Sequence, residues 1–253
     1  MKWMKFPQAM RDILKVLLQQ KMPWADRIMI ARALFNMKWM LNVKPDVEVS
    51  LIRLAGRQVK LSNDASAQFI LKEVWVDKVY EPIVPLQPAS ILDLGANQGI
   101  AGLYFERRFG GLKRMVMYEP DATSFGLLCS NLPEAETHQE AVGVRDGKSG
   151  LVSNGIVNSR VSEEGKGTGV TVVAMRSLLD QPWDLVKMDV EGAEWEVFAD
   201  LALTPEKLSS VAYWMIEFHQ LAEGAAYRSR IFEAFASQGY KNQLRGEVVH
   251  FYH

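Results

Sequence analysis

The sequence predicts an α/β protein: a mostly parallel β-sheet with helices on both faces, preceded by a helical extension. Three observations carry this. From about residue 90 onward, apolar strand-like runs alternate with helical stretches, the pattern of parallel strands joined by crossover helices. The first of these runs breaks into a glycine-containing turn that opens a helix, at Asp93-Leu94-Gly95-Ala96-Asn97-Gln98-Gly99. The 253 residues are 48% apolar, 23% charged and 10% aromatic, which is the composition of a globular chain and excludes a disordered or fibrous one.

Three parts are expected: a basic helical extension or cap at 1–46, a lead-in at 47–88, and a ligand-binding core at 89–253. Residues 1–44 carry nine Lys or Arg against Asp12 and Asp26, a net of +7, whereas the remainder sums to −8. Two helices are expected there, separated by a turn around Met22 and Pro23. In the first, Met10, Ile13, Leu14, Leu17 and Leu18 form the apolar stripe, with Arg11, Lys15 and Gln19 opposite. In the second, from Trp24 to about Leu41, Ile28, Ala31, Phe35 and Trp39 form the stripe while Arg32 and Asn36 face away. A cap packed on the main domain is the preferred reading. The other is peripheral contact with an anionic membrane or partner, since basic amphipathic helices rich in Trp and Phe favour anionic interfaces.

Pro7, Gln8, Arg11, Asp12 and Lys15 interrupt the first apolar stretch, so it does not read as a secretory signal. Nor does any run approach the roughly eighteen apolar residues of a membrane span. A single cysteine, Cys129, allows neither an intramolecular disulfide nor a Cys-rich zinc cluster, and a cytoplasmic location is expected.

Residues 47–61 read as a hairpin turned at Ala55-Gly56, followed by a helix from Ala65 to about Val79 and a boundary at Pro82, Pro85 and Pro88. Core strands are expected at 90–94, 115–119, 137–142, 185–189 and 211–218, and helices at 99–109, 121–131, 192–201 and 225–238. Between Gly143 and Gly169 lie seven of the 18 glycines, with short strands around Leu151 and Val161, an excursion from the core.

Ligands in such sheets bind beyond the carboxyl ends of the strands, and the chemistry-bearing residues fall there. The spacing Gly95, Gly99, Gly102 is not the G-x-G-x-x-G of dinucleotide sites, and Asn97 projects a side chain where a second glycine would admit a pyrophosphate. Glu119 ends the next strand; an acceptor-only carboxylate there can take hydrogen bonds from both hydroxyls of a ribose. Ala141 and Val142 are small and apolar, suited to an adenine edge. The run Lys187-Met188-Asp189-Val190-Glu191-Gly192-Ala193-Glu194 passes from strand to helix. Asp189 closes an apolar strand, while Glu191 and Glu194 fit an acid-rich first helical turn that complements the helix dipole. Alternation places Glu217 and His219 on one side of the last strand.

These segments, Asp93 to Gly99, Glu119-Pro120, Leu71 to Pro82, Lys187 to Glu194 and Ile216-Glu217-Phe218-His219, resemble in order and interval the FkbM family of S-adenosylmethionine-dependent methyltransferases. The resemblance spans about residues 60–220. It implies a class I methyltransferase (Rossmann-like) fold, S-adenosylmethionine as cofactor, and most often O-methylation of a hydroxyl on a sugar or natural product. On this reading Asp93, Gly95, Asn97, Gly99, Glu119, Ala141 and Val142 bind the donor. His219 is the candidate base with Glu217 orienting it, and Asp189 and Glu191 bind the acceptor or the donor's ammonium group; Asp189 is the alternative base. Asp, Glu and His suit Mg²⁺ or Mn²⁺, but no metal spacing is recognisable and none is expected. The rival readings are a nucleotide-dependent oxidoreductase and a non-catalytic membrane- or partner-binding protein with a vestigial core. No nucleic-acid substrate is expected, because the fourth strand lacks an aromatic motif that grips a flipped base.

Overall fold

The computed structural model describes residues 6–19, 23–43, 49–153, 159–162, 168–219 and 224–253. Helices α1 (Phe6–Leu18) and α2 (Trp24–Val43) precede a hairpin of β1 (Val49–Leu54) and β2 (Arg57–Ser62), then α3 (Ala65–Lys72). The core runs β3 (Ser90–Leu94), α4 (Ile100–Phe109), β4 (Arg114–Tyr118), α5 (Ala122–Asn131) and β5 (Glu136–His138). An excursion follows through β6 (Glu140–Gly143), β7 (Gly147–Ser153), β8 (Ser159–Ser162), β9 (Thr168–Ala174) and the short α6 (Met175–Leu178). The chain then returns as β10 (Leu185–Met188), α7 (Glu194–Leu201), β11 (Tyr213–Glu217), α8 (Gly224–Ser237), β12 (Lys241–Arg245) and β13 (Val248–Tyr252).

The main sheet has the order β5-β4-β3-β10-β11-β13-β12. Pairings from β5 to β11 are parallel, and the closing hairpin β12-β13 joins antiparallel to β11. From β3 the chain steps outward to β4 and β5, then crosses back to β10 on the other side of β3. The topological switch point, where ligands bind in such sheets, therefore lies between β3 and β10. Alternating side chains feed two cores: Ile91, Met117, Leu185 and Met215 pack under α2, α3 and α4, whereas Leu92, Leu94, Val186 and Ile216 pack under α7 and α8.

Several expectations are corrected. The expected third strand, 137–142, is two strands: β5 ends after His138, and Glu140, Ala141 and Val142 begin a second sheet, β6-β9-β7-β8, pairing with β9 instead of β4. The expected helix to Val79 is α-helical only to Lys72 and then widens into a π-helical turn, Glu73–Asp77, closed by Lys78 in a left-handed conformation. The hairpin β12-β13, absent from the sequence reading, covers the edge of β11.

The N-terminal helices bury different faces from those expected. In α1 the buried side carries Asp12 and Val16, with Ile13 and Leu17 packed beside them, while Met10, Leu14 and Leu18 are exposed. In α2 the buried residues are Ile30, Ala31, Ala33, Leu34 and Met37, and Ile28 and Phe35 are exposed; the side chain of Trp39 lies outside the described residues. Apolar residues occur on more than one side of each helix, so period alone does not select the buried stripe. Among the described residues, no helix is long and apolar enough to cross a membrane.

Gly95 illustrates how tightly the switch point is built. Its φ is +77°, and a Cβ there would sit 1.7 Å from the backbone carbonyl oxygen of Asp189. Gly56, with φ +81° in the β1-β2 turn, has no atom within 4 Å of such a Cβ. Gly56→Ala should therefore cost only the left-handed strain, about 1–2 kcal/mol, and Gly95→Ala more than about 4 kcal/mol because two strand ends must separate. Equal stabilities of the two variants in chemical denaturation would remove this account of the switch point.

Candidate functional site

The carboxyl ends of β3, β4, β10 and β11, together with α3 and β6, enclose a cavity of about 260 Å³. Gly95, Asn97, Glu119, Ala141, Val142, Asp189, Glu191, Glu217 and His219 all line it. Two expected donor-binding residues do not. Gly99 has φ +83° at the start of α4, and a Cβ there would lie 3.0 Å from side-chain atoms of Leu128 and Leu132, so it serves helix packing. Asp93 is fully buried beneath the cavity floor.

The reason for burying Asp93 is Lys187, itself almost wholly buried and opposite it in register on β10. Lys187 Nζ lies 3.1 Å from Asp93 Oδ1 and 3.7 Å from Asp189 Oδ2, and it donates to the Gly95 carbonyl at 2.7 Å. Burial works against the ammonium charge, yet Asp93 and Asp189 overcome it and push the lysine pKa up. The hydroxyl of Tyr80 donates to the same oxygen, Asp189 Oδ2, at 3.2 Å, and the Lys187 ammonium lies 5.6 Å from the Tyr80 ring centroid.

Glu119 is positioned by the turn it faces. Its Oε2 accepts the N–H of Asn97, held in a left-handed conformation, and its Oε1 accepts the N–H of Asp121, both at 2.8 Å. Each oxygen keeps a second lone pair, so two adjacent hydroxyls in the cavity would find one acceptor each. Burial pushes the Glu119 carboxyl up to about 7, against the lowering effect of those two N–H groups. Tyr118, at the end of the same strand, stacks on His138 with ring centroids 4.6 Å apart.

His219 stands among four carboxylates. Its Nδ1 is 3.1 Å from Glu194 Oε1, and its Nε2 is 3.3 Å from Glu191, 3.8 Å from Asp189 and 3.9 Å from Glu217. Burial alone would lower its pKa, but the hydrogen bond and charge of Glu194, aided by Asp189 and Glu191, hold it at about 9. Glu217 is pushed up to about 8 by burial and by the charge of Asp189. Burial likewise raises Glu191 to about 7, opposed by His219. Glu191 is in the left-handed region at φ 59°, a strained setting for a non-glycine residue that turns its carboxylate toward the histidine.

Glu194 is more than an acid in a first helical turn. It is fully buried, accepts the N–H groups of Val190 and Gly192 at 2.8 and 2.9 Å, and holds His219 with the oxygen that takes the first. One carboxylate thus shapes the loop after β10 and orients the imidazole. Ligand atoms of Asp189, Glu194 and His219 lie within 4.8 Å of one another, a grouping able to hold a divalent cation. The sequence reading missed Tyr80, Glu73 and Glu247 as cavity residues and gave Lys187 and Glu194 no role in a site. For the last two the signal was present: a lysine inside an apolar strand and an acid three residues after the loop glutamate.

Residues 93–241 match the model of the methyltransferase FkbM domain. The chain belongs to the FkbM methyltransferase family. A solved structure of an FkbM methyltransferase from Methylobacillus flagellatus KT aligns over 97% of this chain and 59% of that one, at 13% identity and a TM-score of 0.52. The chain thus spans about three-fifths of the length of that relative. A fibrillarin from Aeropyrum pernix, solved with natively bound S-adenosyl-L-methionine, aligns over 85% of both chains at 12% identity and a TM-score of 0.40. No curated protein matches the sequence. The fold is that of class I methyltransferases, and the cofactor of the FkbM family is S-adenosylmethionine. The residues present fit that group: Glu119 offers two free lone pairs to a ribose, Ala141 and Val142 supply an apolar edge, and acids outnumber Lys187 and His219 around a cavity that must take a cation.

Two measurements check this geometry. Glu119→Ala should weaken S-adenosylhomocysteine binding by roughly 1.5–3 kcal/mol in calorimetry, the cost of losing a charged acceptor. Because the folded-state carboxyl titrates near 7, affinity in the unaltered protein should fall about ten-fold between pH 8 and pH 6 as the acceptor protonates, and Glu119→Gln should flatten that dependence. Separately, Lys187→Met leaves Asp93 buried and unpaired, so unfolding free energy should drop by about 3–5 kcal/mol, partly regained in the double variant with Asp93→Asn.

Proposed function

We propose that the chain is an O-methyltransferase whose acceptor is a hydroxyl group of a sugar or natural product. The observation that carries this reading is that His219 and Glu217 line the same cavity as the Gly95–Asn97 turn and Glu119, so a proton acceptor and a nucleoside-binding carboxylate face one space. S-adenosylmethionine supplies a methyl group on positively charged sulfur, already activated for displacement by oxygen. The protein's part is to align the acceptor oxygen and to remove its proton, a contribution of typically 10²–10⁴-fold.

The identity of the base changes from what the sequence implies. An isolated histidine near its ordinary pKa of about 6.5 would be neutral at pH 7 and able to accept a proton. Here Glu194 holds the imidazole protonated, with His219 raised to about 9, and burial raises Glu217, 3.9 Å from its Nε2, to about 8. The acceptor's proton goes to that pair once it has lost one of its own. Glu217, more basic than an ordinary carboxylate, is the partner closest to this condition at neutral pH. Asp189, steadied by Tyr80 and Lys187, orients the acceptor.

A second reading has specific support in the Asp189, Glu194 and His219 grouping: a divalent cation there would acidify the hydroxyl directly. Non-catalytic binding is disfavoured by the intact set of strand-end acids.

Incubation of the protein with isotopically labelled S-adenosylmethionine and cell extract should yield a product carrying a labelled methyl ether, identified by mass spectrometry. With that acceptor, kcat should rise with pH through about 8 instead of levelling above 6.5, because the raised pair must deprotonate first. His219→Ala and Glu217→Gln should each lower kcat by roughly 10²–10⁴-fold with donor affinity nearly intact. Turnover abolished by a chelator and restored by Mg²⁺ or Mn²⁺ would favour the cation instead, and a labelled product lacking a methyl ether would refute O-methylation.

A further inference from the structure

The exposed faces of α1 and α2 combine features that the methyltransferase core does not account for. Met10, Leu14 and Leu18 recur every fourth residue and so form one row along α1; Leu14 is 53% and Leu18 69% exposed. On α2, Trp24 (62% exposed), Ile28 and Arg32 form a second row. Exposed Arg11 and Lys15 flank the first. The two acids of this segment are turned away: Asp12 is buried, and Asp26 pairs with Arg107 of α4 at 2.8 Å. Arg27 ties the helices together by donating to the Leu17 carbonyl at 3.2 Å, with its guanidinium 5.9 Å from the Trp24 ring centroid. The outward rows are therefore apolar and cationic on two helices that pack together.

We propose that this face docks on an anionic lipid surface, with both helices lying in the interface plane. Apolar rows enter the boundary between headgroups and acyl chains while the adjoining cations meet lipid phosphates, the arrangement of in-plane amphipathic helices. A second copy of the chain fits less well. Two cationic faces repel each other, whereas an anionic surface complements them. Through α3, whose Phe69 and Ile70 line the cavity and on which α2 packs, the docking face is one helix away from the site.

The test is co-sedimentation of the full chain with phosphatidylcholine vesicles with and without phosphatidylglycerol, at low and physiological salt. Binding should require the anionic lipid and weaken as the Debye length shrinks to about 8 Å. Arg11→Gln with Lys15→Gln should lower partitioning about five-fold per cation removed. Leu14→Ser with Leu18→Ser should lower it about ten-fold or more at unchanged charge, with melting temperature and S-adenosylhomocysteine affinity retained; Trp24→Ala is the replacement if that variant unfolds. No binding, equal binding to neutral vesicles, or partitioning indifferent to these changes would overturn the proposal. So would a dimer in sedimentation analysis that Leu14→Ser with Leu18→Ser dissolves.

Discussion

One buried ammonium group, that of Lys187, holds the two strand ends between which the sheet reverses its order. It is paired in register with Asp93 and reaches the Gly95 carbonyl and the Asp189 carboxylate, so β3 and β10 cannot slide or splay independently at their carboxyl ends. Taking both charges out of water is expensive, and a pair of well-packed apolar residues would be about as stable there. What the ion pair adds is direction. It fixes the Gly95–Asn97 turn against the Asp189 loop, and Gly95 permits this because no side chain intrudes on the Asp189 carbonyl. The Glu119 hydrogen bond to Asn97 then inherits that position.

Parallel strands ending on one line deliver Glu119, Asp189 and Glu217 into the same partly desolvated space. Burial makes carboxylates there resist ionising, so Glu73, Glu119, Glu191 and Glu217 are all raised, and the charge of Asp189 adds to the effect at Glu73, Glu191 and Glu217. A cation entering the cavity lowers these pKa values, since opposite charge favours the ionised form. The site is therefore better matched to a positively charged ligand than to a neutral one. Glu194 works differently. Its hydrogen bonds are spent on the loop and on His219, so it fixes the orientation and proton of the imidazole without facing the cavity.

Much of this was legible in the sequence because strand ends are marked twice, once by an apolar run and once by the polar residue that ends it. The alternation from residue 90 gave the parallel core, and Gly95, Asn97, Glu119, Asp189, Glu191, Glu217 and His219 do meet around one cavity. Residues whose role depends on partners far along the chain were not legible. Asp93 looks like a ligand-binding acid until Lys187, 94 positions away, is seen beside it. Glu140 to Val142 look like a third core strand because a short run carries no information about which sheet it joins. His219 looks like an ordinary base because three of the four carboxylates around it, Asp189, Glu191 and Glu194, come from a segment some 25 residues earlier, and only Glu217 is its neighbour in the chain.

The N-terminal helices fail in a more informative way. Local pattern and global packing usually agree, and where they part, function or strain is the usual reason. In α1 the expected stripe splits: Ile13 and Leu17 pack against the core beside Asp12 and Val16, while Met10, Leu14 and Leu18 are outside. A helix laid on a protein surface buries one stripe. An apolar row on another side gains nothing from that packing and raises the tendency to aggregate. Its presence beside a run of cations means that burial against the core cannot be the only constraint on this segment.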